Sequence, residues 1–250
     1  MTTQLQDRPP AAGIDRADLI LTAFDGQGRL TLAQVTRRTG VPRSSAHRML
    51  ERLVQLRWVR RDGQHYQLGL RLFELGTLAA QQDRLSNVAL PYLRELRRLT
   101  GHIVHLAVLD GADVVYLDKL DGKFGADVDT RVGGRRPALP TSVGKVLLAN
   151  AARPSADGLP ANPATLPAGP SQIHREFAAI RLHGVAFDRG VAAPDIGCIG
   201  APIGSKGDVV AAISLCGPLG EIAMDSRTAD LVKLVGAQIY RKLGRHQVAI

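Results

Sequence analysis

The sequence predicts an α+β chain, and three observations carry that expectation. Short amphipathic helical segments at the N-terminus close on a hairpin signal, a nearly all-apolar helix follows, and the C-terminal part mixes helices with hairpins instead of alternating βαβ units. At 250 residues with 45% hydrophobic content, the chain can bury two modest cores more readily than one large one. The expected segments are a disordered tail at 1–13, a first domain at 14–69, a linker helix at 70–84 and a second domain at 85–250.

Leu19, Ile20, Ala23 and Phe24 line one face of a first helix that should stop at Gly26 and Gly28. The second helix has a sharper start, because Thr31 and Gln34 form a T-x-x-Q capping box while Leu30 and Val35 occupy the positions of a hydrophobic staple. Gly40 then ends it. After the turn Gly40-Val41-Pro42, a third helix stacks Ala46, Met49, Leu50 and Leu53 on one stripe and turns a polar, cationic front away from it. Trp58 to Arg61 and His65 to Leu68 flank Asp62-Gly63-Gln64, which reads as a β-hairpin. Two helices joined by a tight turn and followed by such a hairpin form the winged helix-turn-helix pattern. On that pattern Ser44, His47 and Arg48 reach base edges or groove phosphates, and Arg43, Ser45, Arg60 and Arg61 contact the backbone of double-stranded DNA.

The stretch Gly69 to Gln82, GLRLFELGTLAAQQ, is apolar around nearly its whole circumference. A helix between two domains has little core of its own to enter, so a second copy of the chain is the expected cover. Beyond it, a helix from Pro91 to Leu99 stops at Gly101. Strands Ile103 to Leu109 and Val114 to Leu120 surround one turn, strands Ile196 to Ile203 and Val209 to Leu215 surround another, and a last helix starts near Ser226. Arg153 to Pro170, with five prolines, reads as a surface loop.

Charge agrees with a polyanionic partner. The chain carries a formal +9, and before Ser86 all 13 cations are arginines against 8 carboxylates, so the positive density is greatest where the reading head lies. Two cysteines, Cys198 and Cys216, are too few for a secreted disulfide scaffold. The N-terminus lacks an apolar leader core and no apolar run is long enough to span a bilayer, so a cytoplasmic protein without membrane contact is expected.

Several blocks carry a family resemblance. They are Leu30-Thr31-Leu32-Ala33, Arg38-Thr39-Gly40-Val41-Pro42, Ser44 to Leu50 and Tyr66-Gln67-Leu68-Gly69 in the first half, and Pro140 to Ala149, Gly184 to Asp188 and Gly197 to Pro202 in the second. From about Arg16 onward the chain resembles IclR-type bacterial transcriptional regulators. The resemblance implies a GAF-like antiparallel-sheet effector domain, a homodimer or dimer of dimers, and control as repressor or activator by a small organic acid, aromatic or related metabolite. It also implies an effector site at Ser142, Val143, Asp188, Cys198, Ser214 and Cys216. Here Cys216 stands where the family's second serine of a Ser-x-Ser pair is usual, Arg189-Gly190-Val191 replaces an acidic stretch, and Leu139 replaces a common histidine.

Rival chemistries find weaker support. Ser142-Val143-Gly144-Lys145 matches S-x-x-K, yet the S-D-N and K-T-G triplets of that enzyme class are missing. His102 and His105 would point to opposite faces of one strand, which is a poor chelate. No catalytic residue, metal or cofactor is therefore expected. The alternatives are a C-terminal domain that retains an enzymatic activity, or an architectural DNA binder that takes no ligand.

Overall fold

The computed structural model describes residues 13–123, 128–151 and 169–244, which fall into two compact units divided between Gln82 and Asp83. In the first, α1 (Gly13–Thr22), α2 (Leu32–Thr39) and α3 (Arg43–Gln55) pack against a small sheet of β1 (Leu30–Thr31), β2 (Val59–Asp62) and β3 (His65–Leu68). The capping box forms: Thr31 Oγ1 accepts from the Gln34 N–H, and Gln34 Oε1 accepts from the Thr31 N–H. Gly40, at φ 69°, closes α2 in the left-handed region where a Cβ would be strained. Ile20, Leu30, Val35, Ala46, Leu50, Leu53 and Tyr66 make the core, as the stripe on the third helix predicted.

Two details differ from expectation. Residues Leu30 and Thr31, read only as a staple and a cap, also form a strand that pairs with Tyr66 and His65, because a chain held straight before a helix N-cap presents its backbone to any free strand edge. Asp62 pairs with His65, so the hairpin loop is Gly63-Gln64 alone, without Asp62. Helix α4 (Leu70–Gln82) follows, and none of its residues is buried.

The second unit is a six-stranded sheet in the order β6-β5-β4-β9-β8-β7. Its strands are β4 (Ile103–Asp110), β5 (Asp113–Leu120), β6 (Arg135–Pro137), β7 (Ala186–Arg189), β8 (Ile196–Ser205) and β9 (Asp208–Pro218), and every pairing is antiparallel. One face, carrying Val104, Leu106, Ile199, Ile213 and Leu215, packs on α5 (Arg84–Thr100) and α8 (Ser226–Leu243). The other, carrying Ala107, Tyr116, Ala186 and Ala212, packs on α6 (Ser142–Asn150) and α7 (Pro170–His183). Helices on both faces explain why the central strands read as continuous apolar runs and not as alternation.

The helix predicted to begin at Pro91 begins at Arg84 instead, capped by Asp83, whose carboxylate accepts from the Leu85 and Ser86 N–H groups. A strong N-cap and the buried stripe Leu85, Ala89, Leu93 and Leu96 outweigh the hydrogen bond that Pro91 cannot make. Pro170, assigned to a loop, is the first residue of α7, a position where proline's missing N–H costs nothing. Residues 153–168 of that predicted loop lie outside the described residues, as does the N-terminal tail up to residue 12. His102 lies just before β4 and not within it, so the two histidines do not share a strand.

Candidate functional site

In the first unit, the tight Gly40-Val41-Pro42 connection sets α3 across α2, and the hairpin β2–β3 stands beside α3. An open cleft results, bordered by Thr31, Arg43, Ser44, His47, Arg61 and Gln64. Arg43 and Arg48 are exposed, and neither side chain makes an intramolecular hydrogen bond or ion pair among the described residues. His47 Nε2 lies 3.5 Å from Glu51 Oε1, and Ser45 is half-buried. The hairpin splits its two arginines between its faces. Arg61, paired across the strand with Tyr66, holds its guanidinium 5.7 Å above that ring and borders the cleft. Arg60 is directed to the other face, where Nε and Nη2 donate to Gln67 Oε1 at 3.2 and 2.6 Å.

In the second unit the effector-site residues converge through strand register. Asp188 on β7 stands opposite Cys198 on β8, Cys198 opposite Cys216 on β9, and Cys216 opposite Ile103 on β4. The next row reads Ala186, Gly200, Ser214 and His105. Residues two apart on a strand share a face, so both rows look the same way, toward the N-terminus of α6. There Thr141 caps the helix through its Oγ1, which accepts from the Gly144 N–H at 3.0 Å. Gly200 permits the approach: a Cβ on it would lie 2.7 Å from the backbone carbon and oxygen of Ser142. The enclosed space is small, about 40 Å³. Ser142, Val143, Asp188, Cys198, Ser214 and Cys216 all line it.

The cavity's polar groups are buried and tied to one another. Asp188 is 2% exposed, and its two oxygens accept from the Val191 and Ala192 N–H groups at 2.8 and 3.2 Å. Burial raises its pKa, against the downward pull of those two N–H groups. The carboxylate thus organises the turn after β7 while one side of it remains on the cavity wall. Burial likewise pushes the Tyr116 phenol up. Lys145, the fourth residue of S-x-x-K, is ion-paired with Glu176 at 2.8 Å, so its ammonium is engaged by a partner outside that motif.

Among the wall residues that sequence reasoning missed are His105, Tyr116, Thr130 and Arg136. His105 Nε2 meets Thr130 Oγ1 at 2.9 Å, and its ring lies 4.9 Å from that of Tyr116. Arg136 Nη2 bonds Asp129 at 3.0 Å. The one available signal was a histidine inside an otherwise apolar strand, His105 in IVHLAVL. Among the described residues no group of three His, Cys, Asp or Glu side chains is placed to hold a metal, and no helix is long and apolar enough to cross a membrane.

Comparison with known proteins accounts for both units. Residues 13–63 match the IclR helix-turn-helix domain, and residues 77–239 match the bacterial transcriptional regulator IclR C-terminal family. The chain is 30% identical over 218 residues to the HTH-type transcriptional regulator XynR of Escherichia coli K12, covering 83% of this chain and 86% of that one. It is 27% identical over 228 residues to the Transcriptional repressor IclR of the same organism, covering 87% and 81%. Among solved structures, an IclR homolog from Microbacterium hydrocarbonoxydans complexed with 4-hydroxybenzoate superimposes with a TM-score of 0.81 at 27% identity, covering 93% of this chain and 99% of that one. The two Escherichia coli relatives are transcriptional regulators. With a DNA-reading head and a C-terminal effector domain in the same order and over nearly the same length, this chain belongs to the IclR family of bacterial transcriptional regulators.

Proposed function

We propose that the chain reads a duplex operator through α3 and the β2–β3 wing, and that a compact anionic metabolite in the second unit's cavity controls that binding. In the reading head, Ser44, His47 and Arg48 serve base edges and groove phosphates. Arg43 and Arg61 serve the sugar-phosphate backbone, with Ser45 and Arg60 at the flanks. The absence of side-chain partners for Arg43 and Arg48 among the described residues supports this, because unpaired guanidinium groups bind phosphate without first giving up another interaction.

One observation carries the effector reading: two adjacent rows of short polar side chains, Asp188, Cys198 and Cys216 beside Ser214 and His105, lie beneath a helix N-terminus in an otherwise apolar core. A helix's first N–H groups lack intrahelical partners and favour negative charge, and Arg136 adds a cation at the rim. A carboxylate is the ligand this arrangement suits. Pockets that enclose drug-sized ligands measure roughly 300 to 1,000 Å³, so about 40 Å³ favours compact acids, and an aromatic acid such as the one bound by the Microbacterium homolog requires the rim to open.

The apolar helix α4, with no buried residue in its own unit, serves a homodimer, which presents two reading heads to the half-sites of a pseudo-palindrome. The test is a thermal-shift screen of small carboxylates, followed by operator binding with and without each hit, in wild type and in Ser214→Ala and Asp188→Asn. A ligand that prefers one state by about 10- to 100-fold shifts operator binding by about 1.4 to 2.7 kcal/mol. Hits that bind both variants as tightly as wild type put the pocket elsewhere, and hits that never change operator affinity are not effectors.

A further inference from the structure

A buried cysteine is ordinarily an inert small hydrophobe, and two features set this pair apart. Cys198 and Cys216 are directly opposed across β8 and β9. Opposed residues in an antiparallel pair have Cα atoms about 4.5 to 5.5 Å apart, inside the roughly 4.4 to 6.8 Å that a disulfide spans. Both thiols also face the cavity, which admits water-sized molecules, and both are the chain's only cysteines.

From this placement we infer that Cys198 and Cys216 form a dithiol that a hydroperoxide converts to an intramolecular disulfide within the effector domain, with Cys216 as the attacking sulfur and Cys198 as the resolving one. The hydrogen bonds set these roles. Thr130 Oγ1 donates to the Val128 carbonyl at 3.3 Å and so accepts from His105 Nε2–H. That tautomer leaves Nδ1 as an acceptor, 3.7 Å from Cys216 Sγ, where it takes the thiol proton. Burial opposes ionisation of Cys216, but its neighbours Cys198, His105 and Ser214 together outweigh it and bring that thiol below its usual value. Cys198, opposed to Cys216 across the strands and itself buried, is pushed up.

The chemistry balances. The Cys216 thiolate attacks one peroxide oxygen, the O–O bond breaks, and the departing hydroxide takes the proton held by His105, giving a sulfenic acid and water when hydrogen peroxide is the oxidant. Cys198 sulfur then attacks the Cys216 sulfur, its proton leaves with the hydroxyl as a second water, and the S–S bond forms. Two thiols lose two electrons and the peroxide gains them. Bond formation needs no effector, so its test stands apart from the effector reading.

The full chain is treated with hydrogen peroxide, and intact mass and free thiols are measured under denaturing, non-reducing conditions. The expected result is a monomer-sized chain lighter by about 2 Da that has lost both thiols and regains them with dithiothreitol. In Cys198→Ser, Cys216 should be trapped as a dimedone adduct. Cys216→Ser should yield no adduct under the same conditions, and His105→Asn should slow disulfide formation in the otherwise intact chain about tenfold. Peroxide-treated wild type that keeps two free thiols, gains oxygen without losing hydrogen, or cross-links between chains overturns the inference, as does adduct formation at Cys198 in preference to Cys216.

Discussion

Phe73 offers the most direct measure of what the linker helix does. It is 70% exposed, beside Leu70 at 65% and Leu78 at 49%, so replacing it by alanine removes almost nothing from its own unit. Full burial of such a side chain is worth about 1.5 to 3 kcal/mol, and the still-exposed share of Phe73 corresponds to about 1 to 2 kcal/mol per protomer. A twofold interface counts every change twice, giving about 2 to 4 kcal/mol and roughly a 30- to 1,000-fold weaker dimer. Sedimentation equilibrium over a concentration series reads this directly, and circular dichroism melts serve as the control for folding. A Phe73→Ala dimer within about threefold of wild type, or a wild type that stays monomeric throughout, would refute the reasoning. Leu72 is the poorer choice, because it is half-buried already and its loss would mix folding with assembly.

The reading head makes a second set of expectations: Arg48→Ala should weaken operator binding by about 1 to 3 kcal/mol and relax sequence preference, while Arg61→Ala should weaken all sequences alike and flatten the salt dependence. Gel-shift titration against operator and scrambled duplex separates the two, and unchanged specificity in Arg48→Ala removes it from the base-reading set. Gly200→Ala should destabilise the second unit by about 1 to 3 kcal/mol, since its Cβ would meet rigid backbone of Ser142 at 2.7 Å; a urea midpoint equal to wild type would show that α6 is free to yield. For Asp188 the sign follows from burial, which raises its carboxyl above the usual 3.8. The protonated group's contribution to stability is complete below the unfolded pKa and is lost as pH rises through the higher folded one. The stability of wild type relative to Asp188→Asn is therefore expected to fall from about pH 4 upward, and a difference that stays flat in urea titrations across that range would contradict it.

What could be read from the sequence alone was whatever is encoded within a few residues. The Thr31/Gln34 box, the glycine stops at Gly40 and Gly101, the α3 stripe and the hairpin turns are each a local pattern whose energetics do not wait for the rest of the chain. For that reason the winged head and its cationic front were legible, and so was the bounded helix Leu70–Gln82. Where local signals conflicted the reading failed: Pro91 looked like a beginning because proline favours a first turn, but the Asp83 cap and the buried stripe from Leu85 to Leu96 carried the helix through it. The family resemblance supplied the names of Ser142, Asp188, Cys198, Ser214 and Cys216, without saying why they belong together. Only the tertiary structure decided that, by pairing Asp188 with Cys198, Cys198 with Cys216, and His105 with a Ser214 more than a hundred positions away. Register between distant strands is chosen by the packing of whole sheet faces, a one-residue slip would turn every one of these side chains onto the opposite face, and no window of sequence contains that choice.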